Sequence, residues 1–340
     1  MNDALMSNED LWLLNQSKRI LVTGGSGYVG SVLIPELLRR GHTVTNIDAL
    51  LYGNYLPKHE RLTLIEGDIR NRELMHVAMQ GIDCVIHLAC ISNDPSFDLD
   101  PGLGRAINLE AFVPLIHIAK SCGVRRFINA SSSSVYGVKD LENVTENETL
   151  DPLTDYSKYK AQTEELLYKA TAPGFETVSI RSATVCGYSP RQRLDVIVNI
   201  LTNDAYHKGE VRVFGGEQKR PNIHIKDIAK LYADLVTAPA ELINGEVFNY
   251  GGPNYTVNEL ATLVCGAVGK PVKIHRVPSN DLRSYHISSE KIKKIGFEPK
   301  HSISNAVIDL CHAFDEKLLR DTFEDARYYN IKTMKLKKLG

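Results

Sequence analysis

The chain has 340 residues, 43% of them apolar and 24% charged, an ordinary globular composition that excludes disorder and fibrous repeats. Forty basic against forty-one acidic residues leave a formal net charge of -1, so no bulk field draws the protein onto nucleic acid or an anionic membrane. No apolar run approaches the roughly 20 residues of a spanning helix, and the six cysteines and eleven histidines show no metal-ligand spacing. The expectation is a soluble, cytoplasmic protein with small buried thiols, no metal, no nucleic-acid partner and no membrane partner.

After a polar lead, Arg19-Ile20-Leu21-Val22-Thr23 is short, apolar and ends abruptly in glycines, which reads as a buried strand. The same signature recurs at Thr43 to Asp48, Leu62 to Glu66, Cys84 to Leu88, Arg126 to Ala130, Thr177 to Arg181 and Glu246 to Tyr250. Helical-period segments such as Val29 to Arg40 and Ala106 to Ser121 separate them, with kinks expected at the interior prolines Pro35 and Pro114. Strands alternating with helices predict an α/β fold with a doubly wound parallel sheet. Beyond residue 186 the alternation fails. A helix is expected over Arg191 to Lys208, a strand over Val211 to Phe214 and a helix over Val257 to Val268, which predicts a smaller, discontinuous C-terminal lobe. The expected division is 18–185 plus 220–255 for the sheet domain and 186–219 plus 256–312 for the lobe, with 1–17 and 313–340 as terminal extensions.

Thr23-Gly24-Gly25-Ser26-Gly27-Tyr28-Val29-Gly30 lies between the first strand and the first helix. Gly24 permits a tight turn, Gly27 lets backbone N–H groups approach a pyrophosphate, and Gly30 lets the helix lie close on the sheet. Asp48 ends the second strand, where a carboxylate can accept hydrogen bonds from both ribose hydroxyls; with no arginine beside it, NAD is expected rather than NADP. Asp68, after the third strand, is placed to touch the adenine.

Tyr156 and Lys160 stand four apart on one helical face. A phenol is a poor base at neutral pH, and a nearby ammonium is expected to favour its ionised form. Ser131-Ser132-Ser133-Ser134 follows the fifth strand at its carboxyl end, where open parallel sheets expose their reacting groups. One of these hydroxyls can hydrogen-bond an oxygen being oxidised.

The glycine loop, the serine cluster and Tyr156-x-x-x-Lys160 together resemble the extended short-chain dehydrogenase/reductase family of nucleotide-sugar epimerases and dehydratases, over roughly residues 18 to 310. The resemblance implies Ser132 as the catalytic hydroxyl, Tyr156 as the base and Lys160 as its partner, which also holds the nicotinamide ribose. It implies a Rossmann-type NAD site of Gly24, Gly27, Tyr28, Val29, Gly30, Asp48, Asp68, Ile69, Leu88, Ala89 and Asn108, together with Tyr156 and Lys160. For a nucleotide-diphosphate-sugar substrate it implies Ser92, Ser133, Ser134, Thr184, Asn199, Arg220 and Arg283, the two arginines being matched to a diphosphate. A homodimer through the Ala106 to Ser121 and Tyr156 helices is also implied.

Sugar dehydratases of this family typically carry Asp-Glu directly after the catalytic hydroxyl. Here Ser133 and Ser134 occupy those places, and serine is neither a comparable acid nor a comparable base. Family members that invert carbons 3 and 5 use a cysteine where Ser134 stands. Thr184 replaces a usual asparagine, and Ser189 to Asp195 is expected to line the sugar pocket. The expected reaction is epimerisation by transient oxidation of a sugar hydroxyl, at carbon 4. Net dehydrogenation or ketosugar reduction, and an NAD sensor without catalysis, stand as alternatives.

Overall fold

The computed structural model describes residues 17–92, 94–139, 141, 143–279 and 286–338. In chain order the strands are β1 (Arg19–Thr23), β2 (Thr43–Asp48), β3 (Leu62–Glu66), β4 (Cys84–His87), β5 (Arg126–Ser132), β6 (Glu176–Ser182), β7 (Thr184–Cys186), β8 (Glu210–Phe214), β9 (Lys219–His224), β10 (Glu246–Tyr250), β11 (Asn254–Thr256) and β12 (Lys273–Val277). The principal helices are α1 (Gly30–Arg39), α2 (Arg72–Ala78), α3 (Phe112–Ser121), α4 (Asp155–Ala170), α5 (Ile197–Lys208), α6 (Ile225–Leu235), α7 (Val257–Val268), α8 (Ile303–Asp315) and α9 (Asn330–Leu336).

Seven strands pair in the order β10-β6-β5-β4-β1-β2-β3, every neighbour parallel. Helices cover both faces, as crossovers between parallel strands require. Leu33, Ile34 and Leu37 of α1 and Ile228, Leu231 and Tyr232 of α6 pack on one face. Met75 of α2, Phe112 and Leu115 of α3 and Leu167 of α4 pack on the other. The order reverses at β1, whose partners are β2 and β4, so the connections that leave the carboxyl ends of β1 and β4 run to opposite faces of the sheet and open a crevice between them.

A separate core joins α5, α7 and α8 to β8, through Val198, Leu201, Val211, Val213, Leu260, Val264 and Val307. Between this lobe and the large sheet lies a small sheet, β11-β9-β7, which places Thr184 beside Asn222. The segment after α8 folds back rather than trailing away: Leu319 and Tyr328 pack against Leu194 and Leu310.

Two local expectations change. Pro114 is the third residue of α3, where its missing N–H has no intrahelical partner to lose, so it starts a helix instead of kinking one. The irregularity moves upstream, into a π-helical turn at Ala106–Glu110. The helix expected from Arg191 begins only at Ile197, because Arg191 and Asp195 spend their side chains on tertiary hydrogen bonds and Gln192 closes a local turn onto the Ser189 N–H.

Candidate active site

At the end of β1 the chain turns at Gly24, whose φ of +72° and tight surroundings both demand glycine: a Cβ there would lie 2.6 Å from the Ala89 backbone. A Cβ on Gly30 would lie 2.3 Å from the Gly25 carbonyl, so the start of α1 can press against the loop only without a side chain. Buried Asn46 braces the loop from β2, accepting from the Gly25 N–H at 2.9 Å and donating to Ser26 Oγ at 3.0 Å. Asp48 accepts from the Ser26 and Leu50 N–H groups. Burial raises its carboxyl, while those two bonds and the charge of Arg191 pull it down. That guanidinium is one the sequence does not place near Asp48. Asp68 is held below its usual value by hydrogen bonds from Arg70, against some burial.

The second end of the cleft is built where β5 runs out. Ser132 caps the short turn Ser133–Tyr136, and its Oγ shares a hydrogen bond with Ser134 Oγ at 2.9 Å. α4 begins at Thr154, whose Oγ1 accepts from the Ser157 N–H and donates to Asp94 at 2.6 Å, tying the helix start to the loop after β4. Tyr156 and Lys160 therefore face the cleft from the first turns of a capped helix. Lys160 is buried, donates to the Ala130 carbonyl at 2.5 Å, and stands 5.9 Å from the Tyr156 ring centre.

The Tyr156 phenol lies well above its ordinary value, first because it is buried and then because Cys90 and Asp94 are near; Arg193 and the hydrogen bond with Ser132 oppose this.

Beneath this end lies a polar network that sequence reading missed. Glu164, one turn beyond Lys160, pairs with Arg181 of β6 at 2.8 Å, both side chains buried, and also accepts from Ser131 Oγ. Arg181 donates in addition to Tyr136 Oη at 2.7 Å, which donates to Asn249 of β10 at 2.8 Å. The helix, the serine turn and three strands are so locked in one register. The 156, 160, 164 spacing on one helix face was the available signal.

One cavity of ≈ 510 Å³ receives the predicted residues Gly24, Gly27, Tyr28, Val29, Gly30, Asp48, Asp68, Ile69, Leu88, Ala89, Ser92, Ser132, Ser133, Ser134, Tyr156, Lys160, Thr184 and Arg220. Two predicted residues stand behind its wall and need correcting. Asn108, assigned to the cofactor, spends both ends of its amide on the Ile91 backbone, fixing the loop after β4. Asn199, assigned to substrate, is fully buried; it accepts from the Gly187 N–H and donates to Tyr28 Oη and the Arg193 carbonyl. Arg283 lies outside the described residues. From the segment expected to line the sugar pocket, Arg191, Arg193 and Asp195 line the cavity, whereas Ser189 and Gln192 are buried. Asn330, from the stretch expected to be a terminal extension, lines it too.

The cavity suits a dinucleotide: a cradle that any Cβ would fill at Gly24, a helix N-terminus at Gly30, a carboxylate at Asp48 and a phenol-lysine pair at the far end. Three comparisons agree with this geometry. A UDP-glucose 4-epimerase of Corynebacterium glutamicum is 27% identical over 318 residues, covering 88% of this chain and 96% of its own. A 3-beta-hydroxysteroid dehydrogenase of Mycolicibacterium neoaurum is 31% identical over 274 residues, 75% of this chain and 69% of its own. The crystal structure of a UDP-glucose 4-epimerase with UDP-glucose from Thermotoga maritima superimposes with a TM-score of 0.80 at 26% identity, covering 88% of this chain and 100% of that one. Residues 20–251 match the model of the NAD dependent epimerase/dehydratase family, and with that family's glycine loop and tyrosine-lysine pair facing one cavity, the chain belongs to it.

Proposed function

We propose that the protein is an NAD-dependent nucleotide-diphosphate-sugar 4-epimerase, with UDP-hexoses as its substrate class. The observation that carries this reading is the convergence of Ser132, Tyr156 and Lys160 on the cavity that also holds the glycine loop and Asp48. Gly27, Gly30, Asp48, Asp68 and Lys160 would hold NAD, which when bound supplies reversible hydride acceptance from a sugar carbon. The chain's own residues handle the proton. Tyr156 Oη, as phenolate, takes it from the sugar hydroxyl and gives it back, while Ser132 Oγ hydrogen-bonds the same oxygen and steadies it as it becomes a ketone. With the coenzyme bound, the hydride would come back to the opposite face of the ketone carbon as Tyr156 returns the proton to its oxygen, so the configuration inverts with no net redox change.

Ser133 and Ser134 support epimerisation over dehydration: Ser134 Oγ is tied to the hydroxyls of Ser132 and Ser157, and neither position offers an acid-base group. Net oxidation is the second reading, favoured by the likeness to a steroid dehydrogenase. Incubating the protein with UDP-glucose and UDP-galactose, while following sugar configuration by NMR and nicotinamide reduction by absorbance, separates the two. Inverted sugar without stoichiometric NADH supports the epimerase; NADH formed mole for mole supports the dehydrogenase.

The reading extends to a cytoplasmic homodimer. All six cysteines are unpaired, and among the described residues no helix is long and apolar enough to cross a membrane. α3 and α4 expose Val113 and Tyr168, apolar surface that a second copy would cover. Light scattering tests the pairing: a monomer at micromolar concentration sinks it.

A further inference from the structure

The loop between β7 and α5 is bound directly to the glycine loop. Ser189 Oγ donates to the Tyr28 carbonyl at 2.8 Å, Tyr28 Oη donates to the Gly187 carbonyl at 2.6 Å, and Asn199 joins Tyr28 Oη to the Arg193 carbonyl. Arg191 and Arg193 are thereby carried over the cavity beside Tyr28.

Arg191 is buried and Arg193 nearly so, and the charge of Arg191 is under-compensated. Arg191 lies 4.0 Å from the Tyr52 ring centre and donates through Nη2 to Asn330 Oδ1 at 2.6 Å; its buried Nε has no hydrogen-bond partner, and among the described residues it forms no ion pair. Arg193 pairs through Nε with Asp195 at 2.8 Å and reaches Ser92 Oγ at 3.5 Å, yet its buried Nη2 is also unpartnered. Asp195 is further shared with the Asn330 N–H at 2.8 Å. Asp195 is thus the partner of Arg193, and Arg191 has no carboxylate within ion-pairing distance among the described residues. Burial and the neighbouring Arg193 lower Arg191 to about 10, against the pull of Tyr52 and Asp195, so an anion beside it would be favoured.

We propose that Arg191 and Arg193 form a diphosphate-binding roof over the glycine loop, that its ligand is the pyrophosphate of the dinucleotide coenzyme, and that Asn330 of the C-terminal segment is the positioning residue that aims Arg191. Adjacent forks match oxygens on two linked phosphorus atoms, a geometry a single ammonium does not supply. The cavity must hold two diphosphates if it holds a coenzyme and a nucleotide sugar, and Arg220, which lines the same cavity from β9 rather than from this loop, is the arginine that the resemblance matches to the sugar nucleotide. The field of Arg191 reaches Asp48, and that of Arg193 reaches Tyr28 and Tyr156, which spans the path a dinucleotide takes from ribose carboxylate to catalytic phenol. This rests on the NAD reading above, but binding decides it without turnover.

Calorimetry on the full-length protein with NAD, ADP, UDP and adenosine is the test. Arg191→Gln and Arg193→Gln are each expected to weaken NAD and ADP by about tenfold or more, the scale of one lost charge-assisted contact, while UDP and adenosine keep their affinities. Unchanged ADP affinity in both variants overturns the roof. Loss of UDP with ADP retained overturns the coenzyme assignment and moves the pair to the substrate. Asn330→Ala is expected to weaken ADP severalfold and adenosine not at all, whereas a merely structural lesion lowers both. If the glutamine variants do not fold, Arg191→Lys and wild-type protein with inorganic pyrophosphate still decide it. The expected result is a saturable rise in melting temperature with pyrophosphate that prior NAD abolishes. A rise that NAD leaves intact, or none, overturns the proposal.

Discussion

The cavity has two walls built by different rules. The sheet wall is local: Gly24 to Gly30 follow directly on a buried strand and Ser131 to Ser134 span the end of another, so the same few residues set backbone path and chemistry. The loop wall is not. Its central hydrogen bond, Arg191 to Asn330, joins residues 139 apart, and Asn199 reaches back 171 residues to Tyr28. Chemistry on a strand end is announced by its neighbours in sequence, whereas chemistry on a loop braced from elsewhere is announced by nothing nearby.

The sharpest contrast is catalytic. Tyr156→Phe is expected to lower turnover by about 10²–10⁴-fold, the range of a lost general base, with the melting temperature unchanged, as NMR-monitored epimerisation and calorimetry would show. Full turnover in this variant removes the assigned base. Breaking the brace beneath that wall acts on folding instead. Arg181→Ala strands Glu164 and is expected to cost about 3–5 kcal/mol in urea denaturation, against about 0–1 kcal/mol for the exposed Lys169–Glu165 pair on the same helix.

The loop wall is expected to respond more mildly. Asn199→Ala removes three hydrogen bonds that dock the loop on Tyr28 and should cost about 1–3 kcal/mol of stability, with a raised KM and nearly unchanged kcat. A kcat effect as large as that of Tyr156→Phe would erase the distinction between the walls. The pH profile separates them again: because burial raises the Tyr156 phenol, and the base works ionised, kcat/KM should climb with pH across the neutral range and beyond. A flat profile counts against Tyr156.

The smallest effect is at the seam between α6 and α8, where Asp309 ion-pairs with Lys226 at 2.6 Å beside His224. Burial alone would raise this carboxyl, but hydrogen bonds from His224 and Lys226 overcome it and lower it from 3.8 to about 2. A depressed folded-state value means the stabilisation is complete above about pH 4 and is lost as pH falls towards about 2. Asp309→Asn should therefore reduce stability at pH 7 and make no difference at pH 2 by chemical denaturation.

Much of the sheet wall was legible beforehand. β1, β2, β3 and β10 begin and end where apolar alternation and glycine punctuation place them, and Ser132, Tyr156 and Lys160 line one cavity. Asn108 and Asn199 misled because an amide reads identically whether it faces a ligand or a backbone; only packing distinguishes the two. The Arg191 segment misled because helical periodicity is silent about side chains that leave the helix to make distant bonds.

From its sequence alone this protein determines a doubly wound sheet, a glycine turn that tolerates no side chain, and a phenol and an amine on one helical face, since burial periodicity, φ preference and helical pitch act over a few residues. Tertiary structure alone decided which polar groups enter the cavity, that Arg193 rather than Arg191 holds the Asp195 carboxylate there, and that burial raises the phenol. Desolvation and Coulomb energy sum over every neighbour within several ångströms, and those neighbours come from all parts of the chain.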